Sequence, residues 1–180
     1  LLVIVGTLDD RFHVPPAIRI VSQIVAGLLM VYGAGLQLSD IGDPFGTGII
    51  SMGPFTLIFT MLVTLTMINA YNLVDGADGL AGTLTLIALL SVAVVSGDGH
   101  ASAAAAMTVS AAIIGFLIFN FPTPWNRLVR SFMGDAGSTM LGFAVVWITL
   151  GVSQGEARVM SPVHCLWFAS IPIFDCLTCF

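Results

Sequence analysis

The sequence predicts an all-α integral membrane protein, a polytopic bundle of about seven transmembrane helical segments. Of its 180 residues, 57% are hydrophobic and only 8% are charged, whereas soluble domains carry roughly 25% charged residues. Apolar runs recur at lengths close to the ~20 residues that a spanning helix needs. Helices are expected because backbone groups in lipid must be paired within their own segment. The predicted segments are residues 1–8, 18–38, 55–71, 80–96, 103–121, 137–152 and 163–180.

Helix breakers or charged residues set the limits of each segment in turn. The first ends at two aspartates, the second follows Pro15 and Pro16, and the third follows a glycine-rich connector. The fourth begins after another glycine-rich turn, and breaks at 97–99, 121–124 and 161–162 separate the remaining segments. Because the chain begins and ends within apolar runs, we expect residues 1–180 to be a single transmembrane domain, an internal fragment truncated at both ends.

Polar residues that suggest a site are concentrated in three connectors. A carboxylate in such apolar sequence is costly unless it lies at the water boundary or has a partner. Counting membrane crossings from the first segment places all three connectors on the same side of the membrane. Their candidate residues are Asp9 and Asp10; Asn69, Asn72, Asp75 and Asp78; and Gly134, Asp135 and Ser138.

The arginines indicate which side this is. All five basic residues are arginines, and Arg11, Arg19, Arg127 and Arg130 fall on the side of the aspartates, with Arg158 opposite. Positive residues favour the cytoplasm, so the polar connectors are expected to face it. Asp175 lies near the end of the last apolar run, and its depth is left open.

The spacing of these residues indicates a site for metal and phosphate. Asp75 and Asp78 flank a glycine, which permits a tight turn and close approach to a ligand. The adjacent acids Asp9 and Asp10 repel each other and favour a cation or a proton. An oxygen-rich set of this kind suits Mg²⁺, with Mn²⁺ as a possible substitute.

Helix ends offer a second way to bind phosphate. Gly134 and Ser138 lie at the start of an apolar helix, where backbone N–H groups favour phosphate and where Asp135 would add a metal ligand. A plain helix cap by Asp135 or Ser138 is the competing interpretation, and Asn120 would likewise either bind a polar ligand or cap its helix. Solvated helix ends remain the alternative for the aspartates, and His13 is a weaker candidate for substrate contact.

Charge and position exclude or weaken other functions. The formal net charge of −5 argues against nucleic acid, which proteins bind through basic patches. An ion-coupled transporter would also carry acids in an apolar chain, but transporter sites lie near the bilayer midplane on broken helices, whereas these acids fall at helix ends.

Two motifs together resemble one known family. The run Asn-Ala-Tyr-Asn-Leu-Val-Asp-Gly-Ala-Asp-Gly-Leu-Ala at 69–81 and Phe-Met-Gly-Asp-Ala-Gly-Ser-Thr at 132–139, with the Asp pair before them, resemble the polyprenyl-phosphate N-acetylhexosamine-1-phosphate transferases. The resemblance is greatest to the bacterial branch that uses N-acetylglucosamine. It runs across nearly the whole chain.

This resemblance implies a reaction at the cytoplasmic face of the bacterial inner membrane. N-acetylglucosamine 1-phosphate passes from UDP-N-acetylglucosamine to undecaprenyl phosphate, UMP leaves, and a lipid-linked pyrophosphoryl sugar starts cell-envelope polysaccharide synthesis. It also implies that Asp135 holds Mg²⁺, and in a related eukaryotic branch the asparagine matching Asn72 does so too. We take Asp9, Asp10, Asp75 and Asp78 as candidate catalytic residues, and Asn69, Asn72, Asn120, Gly134 and Ser138 as candidate substrate-binding residues.

Several alternatives stay open at this point. The resemblance implies a histidine-rich segment after the last helix, which is absent because the chain stops before it. The branch that uses UDP-MurNAc-pentapeptide would have a lysine shortly after the Asp pair; this chain has none there, which favours N-acetylglucosamine. A sister transferase with another UDP-sugar is the main rival. Direct attack by the lipid phosphate is favoured over a covalent aspartyl intermediate, and the sequence does not decide which of Asp9 and Asp10 acts. The oligomeric state is likewise unknown.

Overall fold

The computed structural model describes residues 1–97, 99–121, 131–155 and 158–178. The described residues form helices and connecting turns, with a single isolated bridge between Asp40 and Ser51. A short 3₁₀ turn at Gly53–Phe55 precedes the third helix. The helices are α1 Leu2–Phe12, α2 Pro16–Ala34, α3 Thr56–Val74, α4 Leu80–Ser96, α5 Ala101–Asn120, α6 Gly134–Ser153, α7 Pro162–Phe168 and α8 Ser170–Thr178.

Four stretches of the described chain are long and apolar enough to cross a membrane. They are Pro16–Ala34, Gly53–Val74, Ala101–Asn120 and Gly134–Ser153, and the apolar helix Leu80–Ser96 is slightly shorter. Many large apolar side chains on the outer faces are exposed, for example Ile58 and Val94, as expected of surfaces that face lipid. A helical membrane protein is therefore supported, while the predicted number of seven spanning segments is not established.

Helix α6 occupies the centre of the bundle. Its apolar window is 61% buried, against 28–39% for the other three candidate spans, and it packs against α1, α3 and α4. Small residues allow these close crossings. A Cβ on Gly142 would lie 2.8 Å from the Cα of Ile68 in α3, and one on Gly6 of α1 would collide with the backbone of Ala136. The start of α6 is thereby held beside the end of α1.

Two predicted boundaries shift in ways that affect the site. Helix α1 continues to Phe12, so the Asp pair lies in its last turns rather than after them. Helix α6 begins at Gly134 with Met133 as N-cap, which places Asp135 in the first turn. This boundary disagrees with the competing interpretation, in which Asp135 or Ser138 would be the N-cap. Gly134 takes φ +64° at the start of the helix, a conformation that glycine adopts without strain.

The last predicted segment is divided into two short helices. Helix α7 ends at Phe168, and α8 begins at Ser170. Pro172 has no N–H to donate to the carbonyl of Phe168, so a continuous α-helix would lose a hydrogen bond there. The chain instead makes a tight turn in which Ala169 N–H bonds the carbonyls of Leu166 and Trp167.

Polar loops interlock at the end of the bundle opposite the Asp pair. Arg158 pairs with Asp40 at 2.8 Å. The side chain of Gln154 accepts hydrogen bonds from Ser39 N–H and O–H and donates to the carbonyl of Asp40. The connector between α2 and α3 is thus joined to the one between α6 and α7. The acidic residues of the predicted site lie at the other end of the bundle.

Candidate active site

One cleft brings most of the predicted residues together. It has a volume of about 420 Å³ and lies between the ends of α1 and α3 and the starts of α2 and α6. A more enclosed apolar cavity of about 170 Å³, between α3, α6 and α7, contains none of the acidic residues. We call the first the acidic cleft; it is lined by Asp9, Asp10, His13, Val14, Arg19, Asn72, Asp75, Phe132, Gly134 and Asp135.

The two adjacent aspartates have different environments. Asp9 is buried, with 7% of its surface exposed. Its Oδ1 accepts a hydrogen bond from Val14 N–H at 2.8 Å, and its Oδ2 lies 3.0 Å from Nε of Arg19. Asp10 is exposed to the cleft. Because a buried carboxylate needs a partner to stay ionised, Asp9 is suited to hold Arg19, whereas Asp10 is accessible to a ligand.

The carboxylate of Asp10 caps helix α6 from another helix. Its Oδ1 accepts from Asp135 N–H at 2.8 Å, and its Oδ2 lies 3.4 Å from Ala136 N. Gly134 permits this approach, since a Cβ there would lie 2.6 Å from Oδ2 of Asp10. The helix start that the sequence suggested for phosphate thus already binds an anion, which belongs to the protein. A substrate phosphate at this position would have to replace it.

Asn72 joins three parts of the cleft. Its Nδ2 donates to Oδ1 of Asp135 at 2.6 Å and to Oγ of Ser138 at 3.0 Å. Its Oδ1 accepts from Nη2 of Arg19 at 2.9 Å. Ser138 is buried and donates its own O–H to the carbonyl of Gly134. The oxygen of Asn72 therefore faces Arg19 and not Asp135.

The turn between α3 and α4 contributes further negative charge. Asp75 follows the last residue of α3 and is half-buried. Burial raises the pKa of its carboxyl most, and together with the negative charges of Asp135, Asp78 and Asp10 it brings the pKa to about 6. Asp78 lies exposed in the same turn and does not line the cleft. The pKa of Asp75 shows that acidic groups around the cleft are close enough to repel one another.

Three predicted substrate-binding residues do not line the cleft: Asn69, Asn120 and the buried Ser138. Asn69 is one turn below Asn72 and exchanges hydrogen bonds with the buried side chain of Gln23, at 2.8 and 3.4 Å. Asn120 is buried at the end of α5, where its Nδ2 donates to the carbonyl of Ser131. Its Oδ1 has no hydrogen-bond partner among the described residues. His13 does line the cleft, in a left-handed conformation with φ 52°.

Arg19 is the residue whose part in the site the sequence analysis missed. Its positive charge and its side of the membrane were the only properties of Arg19 inferred from the sequence. The signal was present, because a charged residue next to an apolar span needs a partner and Asp9 lies ten residues earlier. Its contact with Asn72, however, depends on how α2 packs against α3, which the sequence pattern does not specify. Arg127 and Arg130 lie outside the described residues.

The side chains around the cleft offer oxygen donors and excess negative charge. Asp10, Asp75 and Asp135 contribute three carboxylates, while Arg19 is already paired with Asp9. Oxygen donors and negative charge suit a hard divalent cation. Within the described parts of the chain, no three His, Cys, Asp or Glu side chains are already arranged as a metal shell. A cation would therefore complete its coordination with water or a ligand phosphate.

Curated relatives match nearly all of this chain. Proteins of Escherichia coli O157:H7 and of Escherichia coli strain K12 are each 39% identical over 176 residues, covering 97% of this chain and 48% of their own length. A Haemophilus influenzae protein is 34% identical over 176 residues, which are 50% of its length. All three are named undecaprenyl-phosphate alpha-N-acetylglucosaminyl 1-phosphate transferase. The chain thus spans about half the length of these relatives.

A family model covers the helices that build the cleft. It describes glycosyl transferase family 4 and matches residues 1–153, which include α1 to α6 and every residue that lines the acidic cleft. The resemblance inferred from the Asp pair and the two later motifs agrees with this match. The chain belongs to glycosyl transferase family 4.

Proposed function

We propose that the protein containing this chain transfers N-acetylglucosamine 1-phosphate from UDP-N-acetylglucosamine to undecaprenyl phosphate. The contact that carries this proposal is the junction of Asp10, Asp135 and Asn72 in the acidic cleft. It unites the three sequence motifs by which the chain resembles these transferases. The names of the relatives support the same activity. Residues 1–180 form, in this proposal, one transmembrane catalytic domain.

The chemistry requires two polyanions to meet. An oxygen of the lipid phosphate attacks the sugar-bound phosphorus, the bond between that phosphorus and the oxygen of the UMP phosphate breaks, and UMP leaves with that oxygen. Phosphoryl transfer depends mostly on positioning and on neutralising charge. When bound, Mg²⁺ would supply that neutralisation and stabilise the departing UMP. Asp135 is the proposed ligand, whereas Asn72 would have to turn its amide to offer oxygen.

The environments of Asp9 and Asp10 support different roles. The acceptor phosphate has a second pKa near ~6 by analogy with phosphorylated hydroxyls, so a strong base is not obligatory. We assign the orientation of that phosphate, or removal of its residual proton, to Asp10, because it is exposed to the cleft. Asp9 is committed to Arg19. Asp75 and Asp78 add negative charge close to the proposed cation.

We further place the cleft at the cytoplasmic face of a bacterial inner membrane. Arg11 lies in the last turn of α1 and Arg19 lines the cleft, while Arg158 belongs to the opposite end of the bundle. This distribution supports a cytoplasmic cleft under the positive-inside tendency. A UDP-sugar would then reach the cleft from the side where nucleotides are made.

The test is a transfer assay on membranes that contain the complete gene product. Labelled UDP-N-acetylglucosamine, UDP-N-acetylgalactosamine and UDP-MurNAc-pentapeptide are each supplied with undecaprenyl phosphate, and the labelled lipid is extracted. We expect lipid labelling from the first donor with Mg²⁺ or Mn²⁺, and none with excess EDTA or in the Asp135→Asn variant. Preference for UDP-MurNAc-pentapeptide would establish the sister activity instead. Labelling that persists in excess EDTA would refute the metal.

A further inference from the structure

We propose that Arg19 is a positioning residue for phosphosugar transfer: it orients the amide of Asn72 so that Asn72 serves as a donor that fixes Asp135, rather than as a metal ligand. This inference rests on the proposed function for its effect on rate. Its structural part, the connection from Asp9 through Arg19 and Asn72 to Asp135, is independent of the substrate.

The guanidinium of Arg19 contacts two partners through different nitrogens. Nε of Arg19 lies 3.0 Å from Oδ2 of Asp9, and its Nη2 donates to Oδ1 of Asn72 at 2.9 Å. The hydrogen bond to Asn72 takes the direction that the planar guanidinium imposes, whereas the contact with Asp9 is an ion pair in which Oδ2 accepts no hydrogen bond. Arg19 thereby joins the end of α1 to the end of α3 through the first turn of α2.

The amide of Asn72 can face its two neighbours in either of two orientations. A guanidinium only donates and an ionised carboxylate only accepts. With the amide turned over, Nδ2 would face the donors of Arg19, and Oδ1 would face the carboxylate oxygen of Asp135. Both contacts would be repulsive. Arg19 therefore favours the orientation in which Nδ2 donates to Asp135 and to Ser138.

The orientation of the Asn72 amide in turn fixes the carboxylate of Asp135. Its carboxylate receives a charge-assisted hydrogen bond of 2.6 Å from Asn72, while its backbone N–H donates to Asp10. One oxygen of Asp135 is thus held by Asn72, and its direction is fixed. Groups that orient a ligand or a reacting group in this way typically contribute a factor of about 10–100 in affinity or activity.

Substitutions can separate positioning from simple stability. In Arg19→Gln the fork is lost and Asp9 loses its counter-charge. In Arg19→Lys one ammonium can still neutralise Asp9, but it cannot reach both partners with fixed geometry. Arg158→Gln is the matched control, because Arg158 likewise pairs with an aspartate, the half-buried Asp40, at the far end of the bundle. The exposed side-chain fractions are 24% for Arg158 and 19% for Asp40, against 29% for Arg19 and 7% for Asp9.

The assay measures kcat and KM for the UDP-sugar, with thermal unfolding in detergent for every variant. We expect Arg19→Gln to lower kcat about 10- to 100-fold with a smaller change in KM. Arg19→Lys should unfold near the wild-type temperature and still lose kcat. Arg158→Gln should unfold earlier and keep the kcat of its folded fraction. If Arg19→Gln behaves like Arg158→Gln, Arg19 only stabilises the fold and the proposal is overturned.

A double-mutant cycle tests whether Arg19 acts through Asn72. In an Asn72→Ala background, Arg19→Gln should lower kcat by less than about 3-fold, since the residue it orients is gone. Equal effects in both backgrounds would contradict the proposal. If Arg19→Gln folds poorly, Asp9→Asn with Arg19→Gln removes the unpaired buried charge, and kcat should still be below that of Asp9→Asn alone.

The same cycle can be measured by unfolding temperature without substrate. Coupling between Arg19→Gln and Asn72→Ala in stability would support their contact even if no donor is transferred. Additive stability effects would refute it. Absence of transfer by the wild-type protein with every donor would instead refute the proposed function, so the two failures are distinguishable.

Discussion

Replacing Gly134 with alanine should separate Asp10 from helix α6. Gly134 takes φ +64°, and a Cβ there would lie 2.6 Å from Oδ2 and 2.9 Å from Cγ of Asp10. The left-handed conformation costs a residue with a Cβ about 1–2 kcal/mol. The carboxylate must also move away and lose its bonds to the N–H groups of Asp135 and Ala136. Loss of such a cap costs about 0.5–2 kcal/mol.

The expected sum for Gly134→Ala is about 1.5–3 kcal/mol of stability, with the lower half of the range taken for the cap because Asp10 is exposed. At about 2–4 °C per kcal/mol for a chain of this size, the unfolding temperature in detergent should fall by about 3–12 °C. Transfer should fall about 10- to 100-fold, because reacting groups tolerate little displacement. Thermal unfolding and labelled-lipid formation are the two measurements.

Gly115→Ala is the matched control. Gly115 lies inside α5 with open space around the position of a Cβ, so alanine there should be neutral or stabilise by up to about 1 kcal/mol. In an Asp10→Ala background, Gly134→Ala should retain only the cost of backbone strain. A Gly134→Ala protein with wild-type unfolding and activity would refute the argument that Asp10 caps α6.

Three further predictions concern the aspartates. Asp135→Ala should abolish transfer, and raising the concentration of Mg²⁺ should restore little; full recovery at high Mg²⁺ would argue that Asp135 only tunes affinity. Asp10→Asn should lose most rate at low pH, where the acceptor phosphate carries a proton, and Asp9→Asn should lose a similar factor at every pH; pH–rate profiles test this, and a pH-independent loss in Asp10→Asn would exclude a base. For Asp75, whose pKa is raised from 3.8 to about 6, the stability that protonation contributes is present below pH 3.8 and is lost as pH rises through 6; Asp75→Asn should flatten that part of the unfolding profile, and an unchanged slope would contradict the raised pKa.

The sequence predicted the end of the bundle at which the acids meet, because alternating crossings return every second connector to one side. It also predicted helix α4 at residues 80–96, the bounds that the structure gives, since glycine-rich turns flank this run. Both outcomes depend on local composition and on counting.

The sequence pattern does not show which residues the aspartates and asparagines of the site contact. Asp9 and Asp10 are chemically identical neighbours, and helix rotation turns one towards Arg19 and the other towards α6. That rotation follows from the contact between Gly6 and Ala136, which joins residues 130 positions apart. Asn69 and Asn72 are distinguished in the same way, by one turn of depth along α3. Periodicity shows that Asn69 and Asn72 share a helix face, but not which neighbour each of them contacts.

The backbone contact between Gly6 and Ala136 also limits what can fit at the junction. Helices α1 and α6 touch there without intervening side chains, so the backbones at Asp10 and Asp135 cannot move apart unless the two helices part. The acidic cleft beside this contact, about 420 Å³ in all, leaves space for the rest of a ligand. For the proposed transfer, this junction would serve any phosphosugar donor, and selectivity among sugars would depend on other surfaces that can vary without moving it.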